Sequence, residues 1–188
     1  MEISLSASRS RGDLAELIGD VSLVMLDLSN YAMIRDALLL HGVRFAEWTT
    51  VFVSLNLPAG RVRRNLGEAG GSEKFFVVDC VSRISSAGGI LEAPGSFQVS
   101  SPASLTDLSD ALEQIFREFR KPLLVVVDTI NSLLPYNEFE KTVQFLHLLL
   151  VKARRYEVNA VFLALDGLDP RLVSLVGVMC DKVVKVTL

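Results

Sequence analysis

Six short runs of apolar residues recur along the chain, and segments with helical spacing separate them. Each run is apolar at nearly every position and rich in Val, Leu, Ile and Phe, whereas a strand with one face in water would alternate. The pattern therefore predicts strands that are buried on both faces of a sheet. The runs are Val21–Leu26, Thr50–Leu55, Lys74–Cys80, Leu123–Asp128, Ala160–Leu165 and Lys182–Thr187.

The segments between these runs carry local signals for helix starts. Ser104 followed by Asp107 resembles a capping box, Asn137 with Glu140 has the same spacing, and Asp169 precedes a proline. Apolar residues at three-four spacing in these segments predict helices with one packed face. The predicted helices are Tyr31–Ala46, Ala59–Ala69, Leu105–Phe119, Phe139–Tyr156 and Pro170–Val178, with a short amphipathic piece at Asp13–Ile18.

The alternation of strands and helices favours parallel strands joined by right-handed crossovers. The predicted fold class is α/β, a three-layer sandwich with a mainly parallel sheet flanked by helices. The segment Val81–Pro102 interrupts the alternation with several glycines and only a short strand-like piece, and a loop of this length in a compact domain is functional or partly disordered. The sequence shows no repeat and no linker, so we expect residues 1–188 to form one domain.

Composition limits the functions that the chain can have. Half of its 188 residues are hydrophobic and the mean hydropathy is +0.39, as in a sheet covered on both faces, and this excess could include a subunit interface. The apolar runs fall short of the roughly 18 residues of a membrane span, and the first residues do not resemble a secretory signal, so we expect a cytoplasmic protein without membrane contact. The net charge of −3 does not support nucleic-acid binding.

Residues with reactive or metal-binding side chains do not form a recognisable motif. Cys80 and Cys180 adjoin predicted strands without a CxxC or Cys/His cluster, which favours buried, reduced thiols. His41 and His147 have no second ligand at metal spacing, so we predict no metal site. Ser29 has no Gly-x-Ser-x-Gly elbow around it, and a nucleophilic role is not assigned.

Several segments, in order along the chain, resemble those of one ATPase superfamily. The run Leu-Leu-Val-Val-Val-Asp, together with the rest of Leu123–Leu134, resembles a Walker B strand and the turn after it, and Val51–Pro58 resembles the strand that usually ends in a catalytic Glu. The similarity continues through Phe75–Cys80 and Asp169–Lys185. By the order and spacing of these segments, nearly the whole chain resembles the RecA/KaiC-like ATPases, in particular archaeal KaiC/GvpD-type domains. The resemblance implies a RecA-like sheet.

Compared with that superfamily, the sequence lacks two functional parts. The segment Asp27–Asp36, where a P-loop (Walker A) is expected, has neither glycine nor lysine, and Gly-Lys occurs nowhere in the chain. Its two terminal acids would oppose a phosphate, because two like charges about 4 Å apart repel by roughly 4 kcal/mol at an effective dielectric near 20. Where the resemblance implies a catalytic Glu, the chain has Asn56, which cannot take a proton from water. We therefore predict a pseudo-ATPase, not an enzyme.

The residues that remain at the resembling positions are Asp128, Thr129 and Asn56, which we interpret as vestigial candidates for cofactor binding. For Asp128 a structural role, with hydrogen bonds from Thr129 or Ser54, is favoured over magnesium binding. For Asp79 we favour capping of the following loop over ligand binding. No cofactor and no metal is predicted. The alternative is a nucleotide or small-ligand binding module that uses the crevice at the carboxyl edge of the sheet, and a third hypothesis is an enzyme of another doubly wound family.

The helix predicted at Phe139–Tyr156 is apolar nearly all round, so it should be buried on more than one side. Two interpretations stay open: the N-terminal segment covers it, or it forms a homo-oligomer or protein-partner interface, in keeping with the assemblies of the superfamily. Phe45 and Trp48 are interpreted as core or subunit-contact residues. The favoured hypothesis is a non-catalytic RecA/KaiC-like domain that acts in regulation or assembly through protein contacts.

Overall fold

The structure is a computed structural model that describes residues 2–4, 17–44, 48–85, 95–119 and 122–187. The strands are β1 (Glu2–Ser4), β2 (Val21–Leu26), β3 (Thr49–Ser54), β4 (Phe75–Asp79), β5 (Ser96–Gln98), β6 (Leu123–Asp128), β7 (Asn159–Leu165) and β8 (Lys182–Thr187). The helices are α1 (Leu28–Arg44), α2 (Ala59–Leu66), α3 (Ser82–Ser85), α4 (Leu105–Glu118), α5 (Phe139–Arg155) and α6 (Pro170–Gly177), with 3-10 turns at Gly67–Gly71 and Ile130–Leu133.

The eight strands form one sheet in the order β1-β8-β2-β7-β6-β3-β4-β5, and every neighbouring pair is parallel. The predicted α/β sandwich is therefore confirmed, and all six apolar runs are strands. The sheet also gains the short strand β1 at one edge, which the pattern did not predict. Because all strands run in the same direction, their carboxyl ends lie along a single edge of the sheet.

Two apolar layers cover the faces of the sheet, which explains why its strands are apolar at nearly every position. In β6, Val125 and Val127 point into the layer beneath α4, α5 and α6, whereas Leu124 and Val126 point into the layer beneath α1 and α2. All four side chains are at most 1% exposed. Successive strand residues face opposite sides, so burial of both sides requires a continuous apolar run.

One of the three predicted helix caps is present. Asp169 accepts a hydrogen bond from the Arg171 amide at 2.9 Å, and the proline follows it at the first helical position. Ser104 directly precedes α4, as predicted, but its side chain makes no capping bond. The prediction for Asn137 is wrong, because Glu138 is the residue before α5. The Asn137 amide instead donates to the carbonyls of Pro102 and Leu133, at 2.9 and 3.0 Å.

Some sequence predictions fall outside the described residues. These are Phe45, most of the Asp13–Ile18 piece and residues 86–94 of the Val81–Pro102 loop. The described parts of that loop form α3 and β5. Trp48 is partly buried against the layer that contains α1, which agrees with a core position. Among the helices of the described ranges, none has the length and hydrophobicity needed to span a membrane.

Candidate functional site

The parallel sheet gathers polar side chains along its carboxyl edge. Asp27, Asp166, Asp128 and Asn56 follow or end β2, β7, β6 and β3, and Asp79 ends β4. In open α/β sheets this edge is where ligands bind. The structure therefore brings the three residues predicted as vestigial candidates, Asp128, Thr129 and Asn56, to the expected place, and their contacts show what each does there.

Asp128 is completely buried, and its carboxylate is hydrogen-bonded to the phenol of Tyr31. The Tyr31 hydroxyl lies 2.5 and 2.7 Å from the two carboxylate oxygens. The predicted partners of this carboxylate, Thr129 and Ser54, are wrong: the Ser54 hydroxyl donates to the Leu57 carbonyl at 2.5 Å. Tyr31 could not be singled out from the sequence, because its only signal is a bulky residue in the turn after the first long strand. Asp128 therefore accepts a hydroxyl hydrogen bond, but from Tyr31 and not from the predicted donors.

Two charged residues of α1, Arg35 and Asp36, lie next to Tyr31. The Arg35 guanidinium lies 3.3 Å from the Tyr31 hydroxyl and 5.2 Å from its ring centre, and it pairs with the Asp36 carboxylate at 2.8 Å. Burial raises the pKa of Asp128 to about 6, while the hydrogen bond from Tyr31 and the charge of Arg35 oppose that rise. Burial, followed by the negative charge of Asp128, raises the pKa of Tyr31. Since Asp36 is paired, it does not present the unbalanced charge that was expected from the sequence.

The turn after β2 is an acidic helix start. The Asp27 carbonyl accepts hydrogen bonds from the amides of Asn30 and Tyr31, at 3.2 and 3.0 Å, so α1 begins directly behind the strand. A side-chain hydrogen bond with Asp166 raises the pKa of Asp27, burial adds to the rise, and the charge of Lys185 opposes it. Asp166 was not among the sequence candidates, although an acid directly after a buried strand was the available signal. Two carboxyl groups thus lie together at the start of α1.

Asn56, at the end of β3, belongs to a small group of hydrogen-bonded side chains. The exposed Asn56 accepts a hydrogen bond from the Ser132 hydroxyl at 2.7 Å, and that hydroxyl lies 3.2 Å from the Thr129 hydroxyl. The Asn56 amide nitrogen is 3.5 Å from the Asp128 carbonyl oxygen, and the peptide bond between Asp128 and Thr129 is cis. These contacts join the end of β3 to the turn after β6. They orient Asn56 as a structural bridge.

A second amide, Asn131, joins the same turn to β7. Its side-chain oxygen accepts from the Leu165 amide at 2.8 Å, and its side-chain nitrogen donates to the Leu165 carbonyl at 3.2 Å. The N–H and the C=O of Leu165 are therefore both hydrogen-bonded by one side chain, as they would be by the backbone of a neighbouring strand. In the sequence this residue is only one position of the Walker B-like segment, and nothing there indicates its role.

Asp79 is completely buried and organises the end of β4. Its carboxylate accepts hydrogen bonds from the amides of Ala59 at 2.7 Å and of Val81 and Ser82 at 2.9 Å. The Ser82 hydroxyl donates to it as well, at 2.6 Å. The loop-capping role favoured from the sequence is confirmed, and the same carboxylate also satisfies an amide at the start of α2.

The remaining candidate residues show no reactive arrangement. Burial raises the pKa of the Cys80 and Cys180 thiols to about 12, and both cysteines are free, as predicted. Such thiols are poor nucleophiles at neutral pH. Ser29 is exposed on the first turn of α1. Within the described ranges, no three His, Cys, Asp or Glu side chains converge in a way that could hold a metal ion.

Two cavities open at the amino edge of the sheet, opposite the edge just described. The larger, about 650 Å³, lies between the 3-10 turn Gly67–Gly71 and the start of β4. The Arg63 guanidinium in its wall donates to the carbonyls of Gly70, Phe75 and Gly95, so this cation is used to hold the wall together. The smaller cavity, about 310 Å³, adjoins Asp181.

Comparisons with known proteins bear on the fold. The profile of a family of unknown function (DUF7504) matches residues 35–186, and no curated protein matches the chain. The crystal structure of the uncharacterized protein PH0321 from Pyrococcus horikoshii, in complex with an unknown peptide, is 16% identical with a TM-score of 0.65, covering 88% of this chain and 77% of that one. The KaiC-like protein PH0186 from the same hyperthermophilic archaeon is 15% identical with a TM-score of 0.63, covering 90% and 74%.

A third structure, that of PH0250 from Pyrococcus horikoshii, is 13% identical with a TM-score of 0.62 and covers 95% of this chain and 88% of that one. At these identities the similarity shows the fold alone. The fold is RecA/KaiC-like, as the sequence predicted.

Proposed function

The chain belongs to DUF7504, a family of unknown function, and we propose that it is a non-catalytic RecA/KaiC-like domain that acts in regulation or assembly through protein contacts. The observation that carries the proposal is the contact between Tyr31 and Asp128. Asp128 ends the strand that resembles Walker B, but it is 0% exposed and both of its oxygens face the phenol. A magnesium ion would have to displace Tyr31 to reach this carboxylate.

Electrostatics at the start of α1 also support the proposal. A triphosphate needs donors and positive charge, whereas this turn carries the Asp27 carboxyl group, which is hydrogen-bonded to the Asp166 carboxyl group after β7. Arg35, the cation beside Asp128, is 5% exposed and already pairs with Asp36. A bound phosphate would therefore meet acids and would have to compete for an arginine that is already paired.

The position expected to activate water favours the same conclusion. Asn56 is neutral, and its side-chain oxygen already accepts a hydrogen bond from Ser132. A carboxamide does not act as a general base at neutral pH. Even a nucleotide that entered the crevice would find no base at this position.

The alternative, a small-ligand module at the carboxyl edge, has less support. Asp79 and Asp128 are fully buried, and their carboxylates accept hydrogen bonds from the protein itself. Protein contacts have more support. PH0321, which shares the fold, was crystallised with a bound peptide, and the present chain exposes large apolar side chains on α5 and α6.

Turnover of Mg·ATP by the purified 188-residue chain tests the proposal. We expect phosphate release no faster than in buffer, and no thermal shift with nucleotides, since a ligand at 100 times its dissociation constant would add about 2.7 kcal/mol. Magnesium-dependent turnover that Asp128→Ala abolishes would overturn the proposal. Asp110→Ala, at an exposed position on α4, is the matched control, because a contaminating ATPase would leave both variants equally active.

A further inference from the structure

The outer surface of α5 and α6 carries large apolar side chains in water. Sequence pattern alone marked α5 as apolar nearly all round, but its flank residues Phe145 and Leu149 are 5% and 2% exposed, because they pack within the layer that contains α4. They need no further cover. The side chains that remain exposed are Leu148 (56%), Val151 (48%), Leu175 (43%) and Val178 (83%).

The two helices that carry these side chains, α5 and α6, run side by side. The Arg171 guanidinium lies 4.5 Å from the Phe139 ring centre where the two helices begin, and Arg154 donates to the Met179 carbonyl at 2.5 Å where they end. Leu175 is one turn beyond Arg171 in α6, and Val178 directly follows that helix. We call the four residues Leu148, Val151, Leu175 and Val178 the apolar patch.

Charges of opposite sign flank the patch along α5. Glu140, Gln144, Leu148, Val151 and Arg155 are all exposed and follow one another at three-four spacing, so they lie on one stripe. At 1.5 Å per residue, the acid at the start of this stripe and the base at its end are about 22 Å apart. The apolar residues lie between them.

This arrangement is complementary to itself when the direction is reversed. We propose that α5 packs antiparallel against α5 of a second copy of the chain, across a twofold axis near residues 147 and 148. Glu140 of each copy then faces Arg155 of the other, and the apolar patches meet at the centre. A parallel arrangement would oppose acid to acid and base to base, which is unfavourable.

The second copy is favoured over the other interpretations of this helix by that charge pattern. An unrelated protein would need its own matching order of base, apolar centre and acid, whereas a second copy has it by symmetry. Of the N-terminal segment, the other predicted cover, β1 pairs with β8, and residues 5–16 lie outside the described residues. The inference names a second copy of the chain as the partner in the protein contacts proposed above. It rests on the proposed function only in saying what these contacts are for. Oligomeric mass tests the partner, and ATP turnover tests the function.

Sedimentation of the full chain across micromolar concentrations tests the dimer. We expect a reversible monomer–dimer equilibrium that the double variant Leu148→Glu/Val151→Glu weakens by at least about 100-fold, because it places charges in the apolar centre. Leu28→Glu is the matched control: it adds a charge at an apolar side chain that is 76% exposed on α1, and we expect wild-type association. Thermal unfolding of each variant shows whether it is folded.

Charge reversal tests the antiparallel geometry. Glu140→Arg and Arg155→Glu should each weaken self-association about tenfold, since each variant sets like charges against each other twice. A mixture of the two variants should recover wild-type association, because both contacts in the mixed dimer then join opposite charges. Arg171 interacts electrostatically with Glu140, so the stability of the first variant has to be measured separately.

A local folding defect would not produce recovery on mixing, so this result identifies the contact itself. A wild-type chain that stays monomeric across the concentration range would overturn the inference and leave the patch to a different protein or to the N-terminal residues. A dimer that survives in Leu148→Glu/Val151→Glu would also overturn it.

Discussion

The hydroxyl of Tyr31 lies 2.5 and 2.7 Å from the two carboxylate oxygens of Asp128, although 97 positions separate these residues. Tyr31 is in the first turn of α1, which follows β2, while Asp128 ends β6, and β7 lies between the two strands. The contact therefore spans β7 and joins the first turn of α1 to the carboxylate at the end of β6.

Removal of the Tyr31 hydroxyl should destabilise the fold. Tyr31→Phe leaves a fully buried carboxylate without this donor, and we expect the free energy of unfolding to fall by about 1–3 kcal/mol at neutral pH. The pKa of Asp128 should rise further, because the lost bond lowers it. Urea unfolding measures the difference. Tyr136→Phe, at a ring that is 50% exposed, is the control and should change stability by less than about 0.5 kcal/mol; equal losses in both variants would contradict the role of the contact.

Asp128 should make stability depend on pH. Its pKa is about 6 in the folded chain, against an ordinary value of 3.8 for an aspartate. Between these values the folded state holds a proton that the unfolded state has released, so the contribution is fully present below about pH 4 and is lost as the pH rises through about 6. Asp128→Asn lacks this titration. Its free energy of unfolding relative to wild type should rise by up to about 3 kcal/mol over that range.

Denaturant unfolding of wild type and Asp128→Asn on both sides of this pH range checks the prediction. The exposed Asp110→Asn is the control, and its difference from wild type should stay constant. If the difference in free energy of unfolding between Asp128→Asn and wild type stayed constant, the Asp128 carboxyl group would have the same pKa in the folded and unfolded chains.

Asp79 should be among the most sensitive polar residues to substitution. Asp79→Ala removes the acceptor of the Ala59, Val81 and Ser82 amides and of one hydroxyl, and we expect a loss of about 3–5 kcal/mol. Thermal or chemical unfolding measures it. Asp107→Ala is matched in chemistry, but that carboxylate accepts one hydroxyl bond at 3.2 Å at the surface, and the change should be below about 1 kcal/mol. Similar losses would show that the buried bonds of Asp79 add little.

Gly42 allows α1 to lie close to the sheet. A Cβ atom there would lie 2.5 Å from the Thr50 hydroxyl oxygen and 2.9 Å from a Leu124 methyl group. Gly42→Ala should therefore lower the free energy of unfolding by about 1–3 kcal/mol, despite the better helix propensity of alanine. In α2, the nearest atom to a Cβ at Gly60 is 3.9 Å away, so Gly60→Ala should be neutral or stabilising by up to about 1 kcal/mol. The opposite order of the two variants would refute the close approach.

The sequence predicted all six long strands, but it did not predict the helix-cap hydrogen bonds at two of three helix starts. The difference lies in whether the requirement is local or depends on tertiary contacts. A buried parallel strand needs apolar side chains on both faces, so the requirement is written locally, as in Leu123–Asp128. Ser104 and Asn137 have cap spacing, but tertiary contacts decide where a polar side chain bonds, and the Asn137 amide is used by two loop carbonyls. Local propensity is a weak prior where such partners compete.

The candidate site divides in the same way. The sequence by itself determined which residues stand at the strand ends: Asn56 where a catalytic Glu is implied, and a segment without glycine or lysine after the first long strand. Only the tertiary structure decided that the Tyr31 hydroxyl bonds to the Asp128 carboxylate and that the Asp166 and Asp27 carboxyl groups share a hydrogen bond. It also decided which apolar residues of α5 remain exposed to water. Strand order and helix rotation set these contacts, and both arise from packing of the whole chain, because no short segment contains both partners.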